Sequence, residues 1–160
     1  VEEIVIVLNE DAEPSEPEKP EEPEGTPDSL GLVNDEWVYF GDSGKVDTSF
    51  SGLFYQWGCW WYVQNGKVDF ETAGLIYQWG YWWHVKEGRV QFNSSPELIH
   101  QWGIWWYVKD GYVQFNEDPV LVYQWGYYWY VKGGYVDFAY EGTCTNEWGT
   151  WNIQNGMVKF

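Results

Sequence analysis

"YQWGYWWHVKEGRVQF", residues 77–92, opens with five aromatic side chains and a histidine in nine positions. Variants begin at residue 55 ("YQWGCWWYV"), residue 100 ("HQWGIWWYV") and residue 123 ("YQWGYYWYV"). Two-residue turn signals accompany them: Asn65-Gly66, Glu87-Gly88, Asp110-Gly111, Gly133-Gly134 and Asn155-Gly156, 22 or 23 residues apart. "GDSGKVD" at 41–47 is a longer form of the same signal. Self-similarity at this period means a stacked array in which each unit leans on its neighbours. Asn-Gly and Asp-Gly accept positive φ at both central positions, as a type I′ hairpin turn requires. No stretch carries a 3.6-residue apolar period. The expected fold is all-β, a solenoid of about six stacked β-hairpin repeats over residues 31–160.

The turns fix a register. With Asn65-Gly66 as a loop, Val63 faces Val68, Tyr62 faces Asp69 and Trp61 faces Phe70. Side chains alternate between faces, so Trp61, Val63, Val68 and Phe70 share one face, read as core. The opposite face carries the ring pairs Trp60/Tyr62, Trp82/His84, Trp105/Tyr107 and Tyr128/Tyr130. A polar residue from the returning strand stands beside each pair: Asp69, Gln91, Gln114 and Asp137. Flat rings beside hydrogen-bonding groups at fixed spacing suit a repeating ligand, and these twelve residues are the candidate binding set. The opposing reading uses the same rings for packing between hairpins. Trp57, Trp79, Trp102, Trp125 and Trp148 each precede a glycine, at a bend or second turn, and the first four form an additional candidate platform.

The two ends of the chain differ. No aromatic residue precedes Trp37, and residues 1–30 hold 11 of the 25 acidic residues with a single Lys19, so they supply −10 of the −17 net charge. "EDAEPSEPEKPEEPEGTPD" at 10–28 reads as an extended, disordered linker, because proline lacks the amide donor and the carboxylates repel. "EIVIVLNE" at 3–10 reads as a lone strand, expected to belong to an upstream domain. The acidity argues against nucleic acid and against an anionic membrane surface, and "IVIVL" is too short to span a bilayer. Cys59 and Cys144 lie in different repeats and are expected to stay unpaired. His84 and His100 replace tyrosines of sister repeats, and no Cys/His set has metal-ligand spacing. No catalytic residue, metal or cofactor is therefore assigned.

The unit "GLFYQWGCWWYVQNGKVDFETA" resembles the cell-wall-binding repeats of secreted bacterial proteins, a superfamily that includes choline-binding and glucan-binding repeats. The shared frame here is Gly52-Leu53, Gly58, Trp60, Trp61, Tyr62, Val63, Gly66, Val68 and Phe70, recurring from Gly31 to Phe160. The resemblance implies extracellular, cell-wall-associated placement and an attachment role for a larger protein. It also implies that Trp60 and Tyr62 match cage residues of choline-binding members, whose aromatic rings hold a quaternary ammonium. Leu32, Leu53 and Leu75 stand where those members carry a cage tryptophan. The leading expectation is a non-catalytic module for cell-wall polysaccharide or glucan. Choline on teichoic acid is the alternative, and a spacer or protein-interaction array with every ring packed is the third.

Overall fold

The computed structural model describes residues 20–160 and contains no helix among them. The strand expected over 3–10 and the first half of the Glu/Pro tract lie outside the described residues. Six antiparallel hairpins follow one another. They are β1 (Ser29–Val33) with β2 (Glu36–Phe40), β3 (Gly52–Gln56) with β4 (Cys59–Gln64), and β6 (Gly74–Gln78) with β7 (Tyr81–Lys86). Then come β9 (Glu97–Gln101) with β10 (Ile104–Lys109), β12 (Val120–Gln124) with β13 (Tyr127–Lys132), and β15 (Gly142–Asn146) with β16 (Gly149–Gln154). Short closing strands follow all but the first: β5 (Lys67–Val68), β8 (Arg89–Val90), β11 (Tyr112–Val113), β14 (Tyr135–Val136) and β17 (Met157–Lys159).

The Asn65-Gly66 register is as read, with Val63 opposite Val68 and Gln64 opposite Lys67. The closing strand is shorter than expected. Its last link is Asp69 N–H to the Tyr62 carbonyl, and Trp61 pairs with Arg89 of the next repeat instead of Phe70. The Asp69 carboxylate explains the stop. It accepts from the Glu71 and Thr72 amides and the Thr72 hydroxyl, which turns the chain out of the ladder.

The principal hairpin turn is the one at "QWG". Trp57, Trp79, Trp102 and Trp125 sit at φ 52–55°, each followed by a glycine at φ 76–83°. Both central residues are left-handed, the type I′ arrangement whose twist matches the strands it joins. A bulky residue there is an outlier that costs about 1–3 kcal/mol. Trp148 departs from the series. Asn146 pairs with Gly149, so Trp148 takes the second loop position of the sixth hairpin and not the first.

Successive hairpins are joined in two ways. The second-turn glycine carbonyl accepts from the preceding hairpin: Tyr62 N–H to Gly88, His84 to Gly111, Tyr107 to Gly134 and Tyr130 to Gly156, at 2.7–2.8 Å. The glutamine of "QWG" reaches back to a leucine one repeat earlier. Gln56 Oε1 accepts from Leu30 N–H at 2.8 Å while its Nε2 donates to Leu30 C=O at 3.0 Å. Gln101 clamps Leu75 and Gln124 clamps Leu98 in the same way, and Gln78 accepts from Leu53 N–H.

The core is built between hairpins, and this overturns the expected division into a core face and a ligand face. Leu53 and Tyr62 of the second hairpin pack against Val85 and Val90 of the third. Leu98 and Tyr107 meet Val131 and Val136 in the same manner. Each hairpin therefore lays its Leu/Tyr face, Leu75/His84 in the third, on the next hairpin's Val/Val face, Ile153/Val158 in the sixth, and both faces of an internal hairpin are covered. Tyr62, Tyr107 and Tyr130, expected outward, are buried, as is His84. Burial of such side chains contributes about 1.5–3 kcal/mol each. Cys59 and Cys144 are unpaired.

Candidate functional site: aromatic cages between hairpins

The same stacking leaves apolar cavities at the edge of the first three junctions. In the second junction, Leu53 and Trp60 of one hairpin meet Trp79, Trp83, Val90 and Phe92 of the next around about 150 Å³. The first junction repeats this with Leu30, Trp37, Trp57, Trp61, Val68 and Phe70 around about 290 Å³. The third uses Leu75, Trp82, Trp102, Trp106 and Val113 around about 390 Å³. The fourth junction brings Trp105, Trp125, Trp129 and Phe138 together in the same order.

Ring geometry is conserved along the row. The turn tryptophan stands edge-to-face against the ring of the preceding hairpin: Trp37–Trp57 at 5.2 Å and 75°, Trp60–Trp79 at 5.1 Å and 70°, Trp82–Trp102 at 5.1 Å and 74°, Trp105–Trp125 at 4.7 Å and 70°. Two indole faces thus form a corner, and Trp61, Trp83, Trp106 or Trp129 supplies the third wall. That third ring is held by its own indole N–H, which donates to the carbonyl of the "QWG" glutamine at 2.9–3.1 Å.

The structure redistributes the candidate residues. Trp60, Trp82, Trp105 and Tyr128 line the junctions; of the platform residues, Trp79, Trp102 and Trp125 stand against Trp60, Trp82 and Trp105, and Trp57 stands against Trp37. Tyr62, His84, Tyr107 and Tyr130 lie in the packed interior. Burial raises the hydroxyl pKa of the three tyrosines, with Asp69 adding to the shift at Tyr62 and Asp110 at Tyr107. The four polar candidates bind their own chain: Asp69 as above, Gln91 to the Lys86 and Arg89 carbonyls, Gln114 to the Lys109 carbonyl and Asp137 to the Ala139 amide. Trp61 and Phe70, read as core, line the first cavity, and their counterparts Trp83 with Phe92 and Trp106 line the second and third, while Trp129 meets Phe138 at the fourth junction. The signal for the clamp was present in the sequence as a glutamine at one position of four consecutive repeats.

His84 is a buried exception in its series. Its Nδ1 lies 2.9 Å from Glu97 Oε1 without an aligned hydrogen bond. Glu97 occupies the strand position that is glycine in β3, β6 and β15. Burial pushes the imidazole below its ordinary 6.5, and Lys86 adds to this, while Glu97 works in the other direction. The unfolded chain then binds the proton more tightly, so stability is full above about pH 6.5 and falls as the pH drops below it. The wild type is expected to lose denaturation midpoint between pH 8 and 5 faster than His84→Tyr/Glu97→Gly, which restores the residues of sister repeats. Parallel pH curves for the two proteins would refute the assignment.

No protein-family model and no curated protein matches the chain. Among solved structures it is similar to choline-binding protein F from Streptococcus pneumoniae (21% identity, TM-score 0.38), covering 82% of this chain and 40% of that one. It is similar to the same protein, CbpF, in complex with ipratropium (20%, 0.38, covering 82% and 38%). It is also similar to alternansucrase in complex with isomaltononaose (17%, 0.47, covering 82% and 10%). The chain thus spans two fifths or less of the proteins it is similar to.

Proposed function

We propose that the array is a non-catalytic binding module whose inter-hairpin cages hold quaternary ammonium groups such as choline, serving to attach a larger extracellular protein to a cell wall. The observation that carries this reading is the lining of the first three cages. It consists of tryptophan, phenylalanine, leucine and valine, with no polar side chain among them. A sugar hydroxyl buried there would leave a hydrogen bond unmade, at about 1–3 kcal/mol. A quaternary ammonium has no N–H to satisfy and is drawn to ring faces. The chain's net charge of −17 favours a cationic ligand at long range. Cavities of about 150–390 Å³ fit a small head group, against the roughly 300–1,000 Å³ of a drug-sized site.

The polysaccharide reading retains its own observation. Tyr55, Tyr77 and Tyr123 are more than half exposed and lean on Trp60, Trp82 and Tyr128 at 4.9–5.1 Å. With His100 on Trp105 they form an outer row of rings beside the cages.

Titration of tryptophan fluorescence with choline chloride and with its uncharged carbon isostere, 3,3-dimethylbutan-1-ol, tests the cage reading. Choline is expected to act at least about tenfold more tightly, the equivalent of roughly 1.4 kcal/mol of cation–π attraction. Equal responses to the two compounds, or none to either, would remove it.

A further inference from the structure

The fifth junction is built differently. Its cavity of about 340 Å³ is lined by Leu121, Tyr128, Asn146, Trp148, Trp151, Val158 and Phe160. Asparagine stands where the earlier repeats have the clamping glutamine, one methylene shorter. Its Oδ1 accepts from Trp148 N–H and from Trp151 Nε1, each at 3.0 Å. Both partners are donors only, so the oxygen assignment is fixed and Nδ2 is left as a donor. No described residue accepts from it.

The consequence falls on Leu121. Its cross-strand partner is Tyr130. Tyr130 spends its N–H on Gly156 and its carbonyl on Asp137. Leu121 is thus a non-hydrogen-bonded pair member, with its N–H and C=O turned outward. In the earlier junctions the glutamine amide takes up this outward pair at Leu30, Leu75 and Leu98. At Leu121 no described side chain does. Tyr128 adds a phenol where the second to fourth hairpins carry Trp60, Trp82 and Trp105. The fifth cage therefore combines two indole faces with a free amide donor, a backbone donor–acceptor pair and a phenol.

We infer that this fifth cage is a pyranose subsite, in which a sugar ring stacks on Trp148 and Trp151 while its hydroxyls bond the Asn146 amide and the Leu121 backbone. It is set beside the ammonium cages, and the contrast rests on the reading of those cages given above. Two site types on one array suit a polymer that carries sugar rings and cationic groups together.

The test uses the whole 160-residue chain, with indole N–H signals followed by NMR. The probes are methyl β-D-glucopyranoside and choline chloride. The glucoside is expected to shift the Trp148 and Trp151 signals at concentrations at least tenfold below those that move Trp79, Trp83, Trp102 or Trp106. Asn146→Gln gives Leu121 the clamp of its sister repeats and should weaken the glucoside response at least tenfold while leaving choline unchanged. Tyr128→Trp provides a second variant, and dispersed indole signals from the other cages report folding. A glucoside that leaves Trp148 and Trp151 unmoved, moves every cage alike, or is indifferent to Asn146→Gln overturns the inference. Choline failing at every cage while the glucoside acts at Trp148 would remove the cage reading and sustain this one.

Discussion

Trp102→Asn should empty the third cage of ligand and leave the array folded. Two terms of opposite sign act on stability. The native residue holds φ 53°, a conformation that costs a bulky side chain about 1–3 kcal/mol and that asparagine adopts readily. The substitution also removes the edge-to-face contact with Trp82, worth about 0.5–1.5 kcal/mol. Trp102 is 62% exposed, so little further burial is lost. The two terms should cancel to within about 1 kcal/mol. Affinity has no such compensation. One of three indole walls disappears, and cation–π attraction in a desolvated site is about 2 kcal/mol, or roughly 30-fold in Kd. The first and second cages share no lining residue with the third and should bind as before. A melt together with an NMR titration of the remaining indole signals measures both quantities. Unfolding of the variant, or choline still shifting Trp82 and Trp106 at wild-type concentration, would show that Trp102 is held for packing alone.

Tyr107→Ala should show the opposite pattern, a large loss of stability. Tyr107 is 8% exposed and packs with Leu98, Val122, Val131 and Val136 at the junction of the fourth and fifth hairpins. Truncating a buried aromatic residue costs about 3–5 kcal/mol, against a total of about 5–15 for a domain of ordinary stability. In a stacked array stability is a sum of units and interfaces, so weakening one interface should split a single denaturation transition into two. Tyr107→Phe keeps the ring and should cost no more than about 1.5 kcal/mol. An alanine variant as stable as wild type that merely lost ligand would restore the outward placement expected from alternation alone.

These two side chains show what could be read in advance. The repeat, the hairpin unit and the absence of helix among the described residues followed from aromatic and turn residues recurring every 22–23 positions. Asn65-Gly66 and its sisters fixed a register that the structure shares. The turn at Trp57-Gly58 was harder to read, because tryptophan is a poor left-handed residue on local preference and only its place in a cage accounts for it. Asp69 was legible as polar and strand-borne, but its carboxylate had a nearer use in turning the chain.

The division of rings between core and ligand was not legible, and the reason is geometric. A period of two assigns side chains to two faces of a strand pair; it carries no information on what covers each face. In a single sheet with one wet side, one set would be core and the other free. Here each thin hairpin is covered on both sides, so Tyr62 and Val63 are both interior, while Trp60 and Trp83, from opposite faces of successive hairpins, meet at one cavity. The sequence by itself determined the local unit, because turn chemistry and alternation act within a few residues. Which rings share a cage was decided only by the stacking of one unit on the next, where contacts join residues a whole repeat apart in the chain, as Gln56 joins Leu30 and Trp60 meets Trp79.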